Sequence, residues 1–195
     1  MVDFAQMIRE EAAAIDDLHA AVDRTVGRRD RDARSLEEWE GACSALHSYV
    51  SRLDAYLRRA YADEKYSDPE LVEFVVCFLE VDARFFRSGY IKQVLLTRLK
   101  RSELTEATSS RLRQVLVSAV ERRGTREFKY YCRLAAVLTD PNLVSVLESL
   151  HASEDRATAS RATLMLEHVR KGPGSAVTAS NNALERERGR QLRKR

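Results

Sequence analysis

The sequence predicts an all-α fold, because glycine and proline are scarce, Ala, Leu, Arg and Glu dominate, and apolar residues recur at the helical period of 3.6. Seven glycines and three prolines in 195 residues are too few for the many reversals of an all-β or α/β chain. A chain of this length can bury a core without disulfides.

The first helix is expected from Asp3 to about Val26, where Phe4, Ile8, Ala12, Ile15, Leu18, Val22 and Val26 share one face. Gly27 ends it, and Ser35 with Glu38 offers a capping box for the next helix. That second helix is expected from Leu36 to about Ala62. Leu36, Trp39, Cys43, Leu46, Val50, Leu53, Leu57 and Ala60 alternate by three and four, a heptad-type seam that should bury Trp39, Leu46 and Leu53. Two such helices joined by a short loop form a long antiparallel hairpin over residues 1–66. Its surplus apolar stripe also suits a homo-oligomer.

From residue 67 the expected helices shorten. Ser67 with Glu70 forms a second capping box and Pro69 suits a first turn, opening a strongly apolar helix with Leu71, Phe74, Val75, Phe78 and Leu79. Ser88 and Gly89 interrupt the pattern before a helix from Tyr90 to about Leu99; another lies near 105 to 123 and stops at Gly124, a left-handed cap. Helices follow at about 126–138, from Pro141 to about Leu150, and from Ser153 to Gly172, with Asp140 and Pro141 as punctuation. The polar stretch 172–195 ends in a basic cluster and is expected to be a disordered tail.

A weak internal repeat has an offset of 31: Leu112, Val115 and Leu116 fall on Leu143, Val146 and Leu147, and Leu134, Ala135 and Leu138 fall on Met165, Leu166 and Val169. The stretch KYYCRLAAVLTDPNLVSVLESLHASEDRATASRATLMLEHV resembles the HEAT and armadillo-type helical repeats, in which a helix ending in a small polar turn, often Asp-Pro, leads into a Leu-rich partner. The resemblance covers residues 67–171, a helical-repeat-like body, and departs from the family in its uneven repeat lengths and its first two helices. It implies a short stack of helix pairs serving as a curved scaffold for protein or nucleic acid, and it carries over no catalytic residue.

Charge is segregated along the chain. Residues 1 to 83 hold 10 Lys and Arg against 19 Asp and Glu, whereas residues 84 to 133 hold 13 against 4. The basic segment supplies candidate phosphate- or partner-binding residues Arg98, Lys100, Arg101, Arg122, Arg123, Arg126, Lys129 and Arg133, with Phe86, Tyr90 and Tyr130 placed to stack on bases. The plainer expectation, preferred because the total is only +3, is that the acidic hairpin neutralises this segment or that its charges solvate helix faces.

Chemical motifs are absent from the sequence. No Gly-rich phosphate loop, nucleophile elbow or zinc-type cysteine pairing occurs. Asp16 with His19 and Glu148 with His151 have the three-residue spacing of bundle metal sites, but no further inward carboxylates accompany them, so neither a metal nor another cofactor is expected. Cys43, Cys77 and Cys132 are odd in number and widely spaced, as small core residues of a reducing cytoplasm. The N-terminus lacks the pattern of an export signal, and the longest apolar run, Phe74 to Leu79, is far short of the roughly 20 residues that span a bilayer. The expected function is therefore a non-catalytic cytoplasmic scaffold or adaptor that binds another protein; the alternative is nucleic-acid binding through residues 84–133 and the basic tail. A far-ultraviolet circular dichroism spectrum should show dominant helical minima, and a sheet-like spectrum would refute this fold class.

Overall fold

A computed structural model describes residues 2–122 and 125–173. Among them the chain forms nine helices and no strand. Eight are α1 (Phe4–Val26), α2 (Ala33–Ser48), α3 (Leu53–Ala62), α4 (Pro69–Val81), α5 (Ser88–Leu99), α6 (Glu106–Glu121), α7 (Phe128–Ala135) and α8 (Pro141–His151); α9 covers 156–173. The helices fall into two compact units, Met1–Arg98 and Leu99–Arg195. The expected division at residue 66 lies inside the first unit, where α1 and α3 both pack against α4.

Helix starts follow the capping rule, with aspartate preferred over the serines of the expected capping boxes. Asp32 rather than Ser35 caps α2, accepting from the Ser35 amide, and Asp68 rather than Ser67 caps α4, accepting from the Glu70 amide. Asp3, Asp140 and Asp155 cap α1, α8 and α9 in the same way, and Thr105 caps α6. Ser153 sits ahead of α9 and accepts from the Asp155 amide. Ser88 and Gly89, expected to break the pattern, begin α5 instead. The Gly124 cap and the tail from residue 174 lie outside the described residues.

α1 and α2 pack together as the expected N-terminal hairpin. The long second helix does not form. It breaks at residues 49–52 because Glu11 of α1, only 4% exposed, gathers that segment onto its carboxylate. Its Oε2 accepts from the Tyr49 hydroxyl at 2.8 Å, the Ser51 hydroxyl at 2.7 Å and the Arg52 amide at 3.2 Å, while Oε1 accepts from Arg52 Nε at 2.5 Å. Tyr49 is extended, so the intrahelical ladder stops there and α3 restarts after the Ser51 hydroxyl accepts from the Leu53 amide.

The break divides the expected seam. Leu53 is buried, but α2 buries no residue completely: Trp39, Cys43 and Leu46 are half-buried, and Leu36 and Val50 are exposed. Arg29 lies over the Trp39 ring at 5.2 Å, and Trp39 Nε1 has no hydrogen-bond partner among the described residues. The core of the unit instead centres on α4, where Phe74, Val75, Val76 and Phe78 are wholly buried. Phe74 stacks on Tyr56 of α3 at 4.8 Å and meets Phe4 of α1 edge-on at 5.6 Å.

Asp82 follows α4 in a left-handed conformation, φ 50°, and accepts at 2.6 Å from Lys92, which is 1% exposed. In the second unit α6 packs against α7 and α8, with Leu112, Leu116, Cys132 and Leu147 completely buried. Burial pushes the Cys132 thiol up to about 12, which makes it an unreactive core group.

Leu53→Ala should cost about 3 kcal/mol and the half-buried Leu46→Ala about 1 kcal/mol in denaturant unfolding. Equal losses would contradict the divided seam. Burial of Glu11 pushes its carboxyl up, but the hydrogen bonds from Arg52, Ser51, Tyr49 and the Arg52 amide outweigh it and hold the pKa below the ordinary 4.5. Its contribution is thus complete above that value and is lost as pH falls through the lowered one. Glu11→Gln should flatten the acid limb of the stability profile, and Glu11→Ala should cost about 3 kcal/mol at neutral pH by stranding its donors.

Candidate functional site

The most exposed aromatic cluster lies between α3 and the start of α5. Asp54, Leu57, Arg58 and Tyr61 recur at i, i+3, i+4 and i+7 on one face of α3, while Leu53, Tyr56 and Ala60 occupy its inward faces. Opposite stand Phe86, Arg87, Tyr90 and Ile91 from the turn before α5 and its first residues. These eight residues line an open groove of about 600 Å³.

Phe86, Tyr90 and Tyr61 are 64%, 52% and 42% exposed, an unusual concentration of large rings facing solvent. Phe86 rests one side on His19, with ring centres 4.6 Å apart, which leaves the rest of its surface uncovered. Arg87 holds φ 68°, a left-handed conformation that costs a residue with a Cβ about 1 kcal/mol and projects the turn beside the rings. Burial raises the Tyr61 pKa, against the pull of the Arg98 and Arg87 charges. Asp54 is engaged as acceptor from the Ser51 amide at 3.2 Å, whereas neither Arg58 nor Arg87 is paired with a carboxylate among the described residues.

The basic residues expected to bind phosphate have different fates. Arg98 is structural: it donates to the carbonyls of Ala60 at 2.9 Å and Tyr61 at 2.7 Å, closing the end of α3. Arg122 and Arg126 both have intramolecular interactions and are not free, and Arg123 lies outside the described residues. Lys100, Arg101, Lys129 and Arg133 remain. Lys129 and Arg133 each approach the Tyr130 ring, at 5.2 Å from its centre. Burial, followed by the charges of Arg133 and Arg101, lowers the Lys100 pKa.

The histidines with metal-type spacing serve other contacts: His19 packs against Phe86 with the ring planes tilted by 42°, and His151 Nδ1 lies 2.9 Å from the Thr163 hydroxyl. No group of three or more potential metal ligands comes together among the described residues. No described helix is long and apolar enough to cross a membrane.

Of the groove residues, Phe86 and Tyr90 were marked in the sequence as stacking residues. The heptad alternation places Leu57 in the buried seam and singles out neither Arg58 nor Tyr61. Their signal is the second row on α3, Leu57 and Tyr61, offset from Leu53, Tyr56 and Ala60; the alternation by three and four merges the two rows.

The lowered Lys100 pKa gives it more free amine than an ordinary lysine near neutrality. With limiting acylating reagent at about pH 8, Lys100 should be labelled ahead of the more exposed Lys65 and Lys171. Labelling in simple order of exposure would contradict the lowered pKa that burial and the neighbouring cations give it.

Compared with protein-family models, curated proteins and solved structures, the chain matches none.

Proposed function

We propose that this chain is a non-catalytic binding module that docks an acidic, apolar-anchored segment of another protein in the groove between α3 and α5. The observation that carries the reading is the gathering of Tyr61, Phe86 and Tyr90 over a floor of Leu57 and Ile91, flanked by the guanidinium groups of Arg58 and Arg87, which have no carboxylate partner among the described residues. Aromatic rings and arginine are the residues that most often dominate binding energy at protein interfaces. A large apolar side chain suits the floor, and carboxylates beside it suit the two arginines.

Charge supports a peptide over a polyphosphate here. Residues 1–98 hold 14 Lys and Arg against 19 Asp and Glu, so a long polyanion meets net repulsion while a short acidic segment meets only the local cations. On the same proposal, the helices of residues 99–173 are HEAT-like pairs that act as scaffold. Support comes from α6 packing against both α7 and α8, and from the burial of every position aligned by the offset of 31 except Val146 and Val169.

The test is affinity capture from nuclease-treated native lysate with wild type, Phe86→Ala/Tyr90→Ala, Arg58→Glu/Arg87→Glu, and the exposed Arg156→Glu as a control outside the groove. Proteins held by wild type and by the control should be lost from both groove variants, with affinity falling about tenfold or more. The same set captured by all four would overturn the groove as the docking site.

A further inference from the structure

The basic segment contains 13 Lys and Arg, and the structure spends most of them. Lys92 and Arg84 pair with Asp82; Arg113 pairs with Glu106 and Asp140 and donates to the Leu138 carbonyl; Arg98 closes α3; Arg111, Arg122 and Arg126 are engaged. In the second unit Lys100, Arg101, Lys129 and Arg133 have no carboxylate partner among the described residues.

Two of them share one ring on α7, and the charge of one of these reaches Lys100. α7 buries Phe128, Tyr131, Cys132, Leu134 and Ala135, so Lys129, Tyr130 and Arg133 face outward one turn apart, the ring flanked by both cations at 5.2 Å. Lys100 and Arg101 come from the turn that follows α5, with the Lys100 side chain half-buried. Arg133 and Arg101 act electrostatically on Lys100, in addition to its burial, which places the three charges in one field. Like charges crowded without a counter-ion destabilise the folded state unless an anion joins them.

We infer that Lys100, Arg101, Lys129 and Arg133, the last two flanking the outward Tyr130 ring, form a binding site for the phosphate backbone of single-stranded nucleic acid. Several cations within one field match successive phosphodiesters better than a single carboxylate, and a half-exposed ring beside them offers an unpaired base a stacking surface. A duplex hides its bases from such a ring and tracks only the cations. Residues 99–195 carry 19 Lys and Arg against 11 Asp and Glu, so the wider field draws a polyanion toward this unit. The site is independent of the groove on α3.

The experiment is fluorescence anisotropy of a labelled single-stranded oligonucleotide of about 15 residues, titrated with the full chain at about 50 and about 200 mM salt. Wild type should bind, more weakly at the higher salt. Lys100→Gln/Arg101→Gln/Arg133→Gln should weaken binding at least about tenfold and reduce the slope against log salt by about two, from roughly 0.7 per lost phosphate contact. Tyr130→Leu should weaken binding at unchanged slope, and Tyr130→Phe should retain it. The triple variant should melt no lower than wild type, since it removes unpaired like charges; Arg133→Lys, which keeps the charge, checks the site if it does melt lower. Absence of wild-type binding at the lower salt, equal binding by the triple variant, or equal binding of a duplex of the same length would each overturn the assignment.

Discussion

The first unit depends on a single buried carboxylate. Glu11 enters the α1 face among Phe4, Met7, Ile8 and Ala12, where an ionised group is tolerated only if its lone pairs are occupied. The four donors that occupy them come from Tyr49, Ser51 and Arg52. Meeting that requirement bends the chain between α2 and α3 and ties the bend to α1. Only with the bend in place do α3 and α1 both pack on α4, with the stacked Tyr56 and Phe74 rings at the join. The groove face of α3, from Asp54 to Tyr61, is thereby turned toward Phe86 and Tyr90. A continuous helix from 36 to 62 would satisfy its own backbone but leave Glu11 buried without donors.

A second recurring device is an arginine set against the carbonyls at a helix end. Arg98 does this at α3, Arg161 at α6 through Val120 and Glu121, and Arg113 just beyond α7 through Leu138. The last carbonyls of a helix lack intrahelical donors and carry the negative end of its dipole, so a guanidinium satisfies both their hydrogen bonding and their charge. Residues that look like a binding surface in a list of cations are in these cases part of the frame. Of the groove cations and those of residues 84–133, the distinction leaves Arg58 and Arg87 in one unit and Lys100, Arg101, Lys129 and Arg133 in the other without carboxylate partners among the described residues.

The two candidate surfaces differ in the chemistry they favour. The groove on α3 couples a wide apolar floor to two separated guanidinium groups within a unit of net negative charge, which suits a short acidic segment with an apolar anchor. The Tyr130 cluster couples one ring to two flanking cations, with Lys100 and Arg101 in the same field, within a unit of net positive charge, which suits a chain of phosphates. In neither place do the described side chains assemble potential metal ligands.

The sequence by itself determined the all-α class, the approximate position of every helix after residue 67, the apolar core of α4 and the segregation of charge. These follow from local rules: 3.6-residue periodicity, aspartate and proline at helix starts, and composition. It also marked Phe86, Tyr90, Tyr130 and the basic residues, because aromatic rings and cations are visible one by one. Only the tertiary structure decided the break at 49–52, since that depends on Glu11, about 40 residues earlier in the chain, and a partner at that distance leaves no periodic trace. Likewise, only the tertiary structure separated Arg98, committed to carbonyls of α3, from Lys100 two positions later, crowded by other cations. Periodicity reports which face a residue occupies on its own helix. What stands opposite that face is set by long-range packing, and here that packing determines which charges are neutralised and which remain for a ligand.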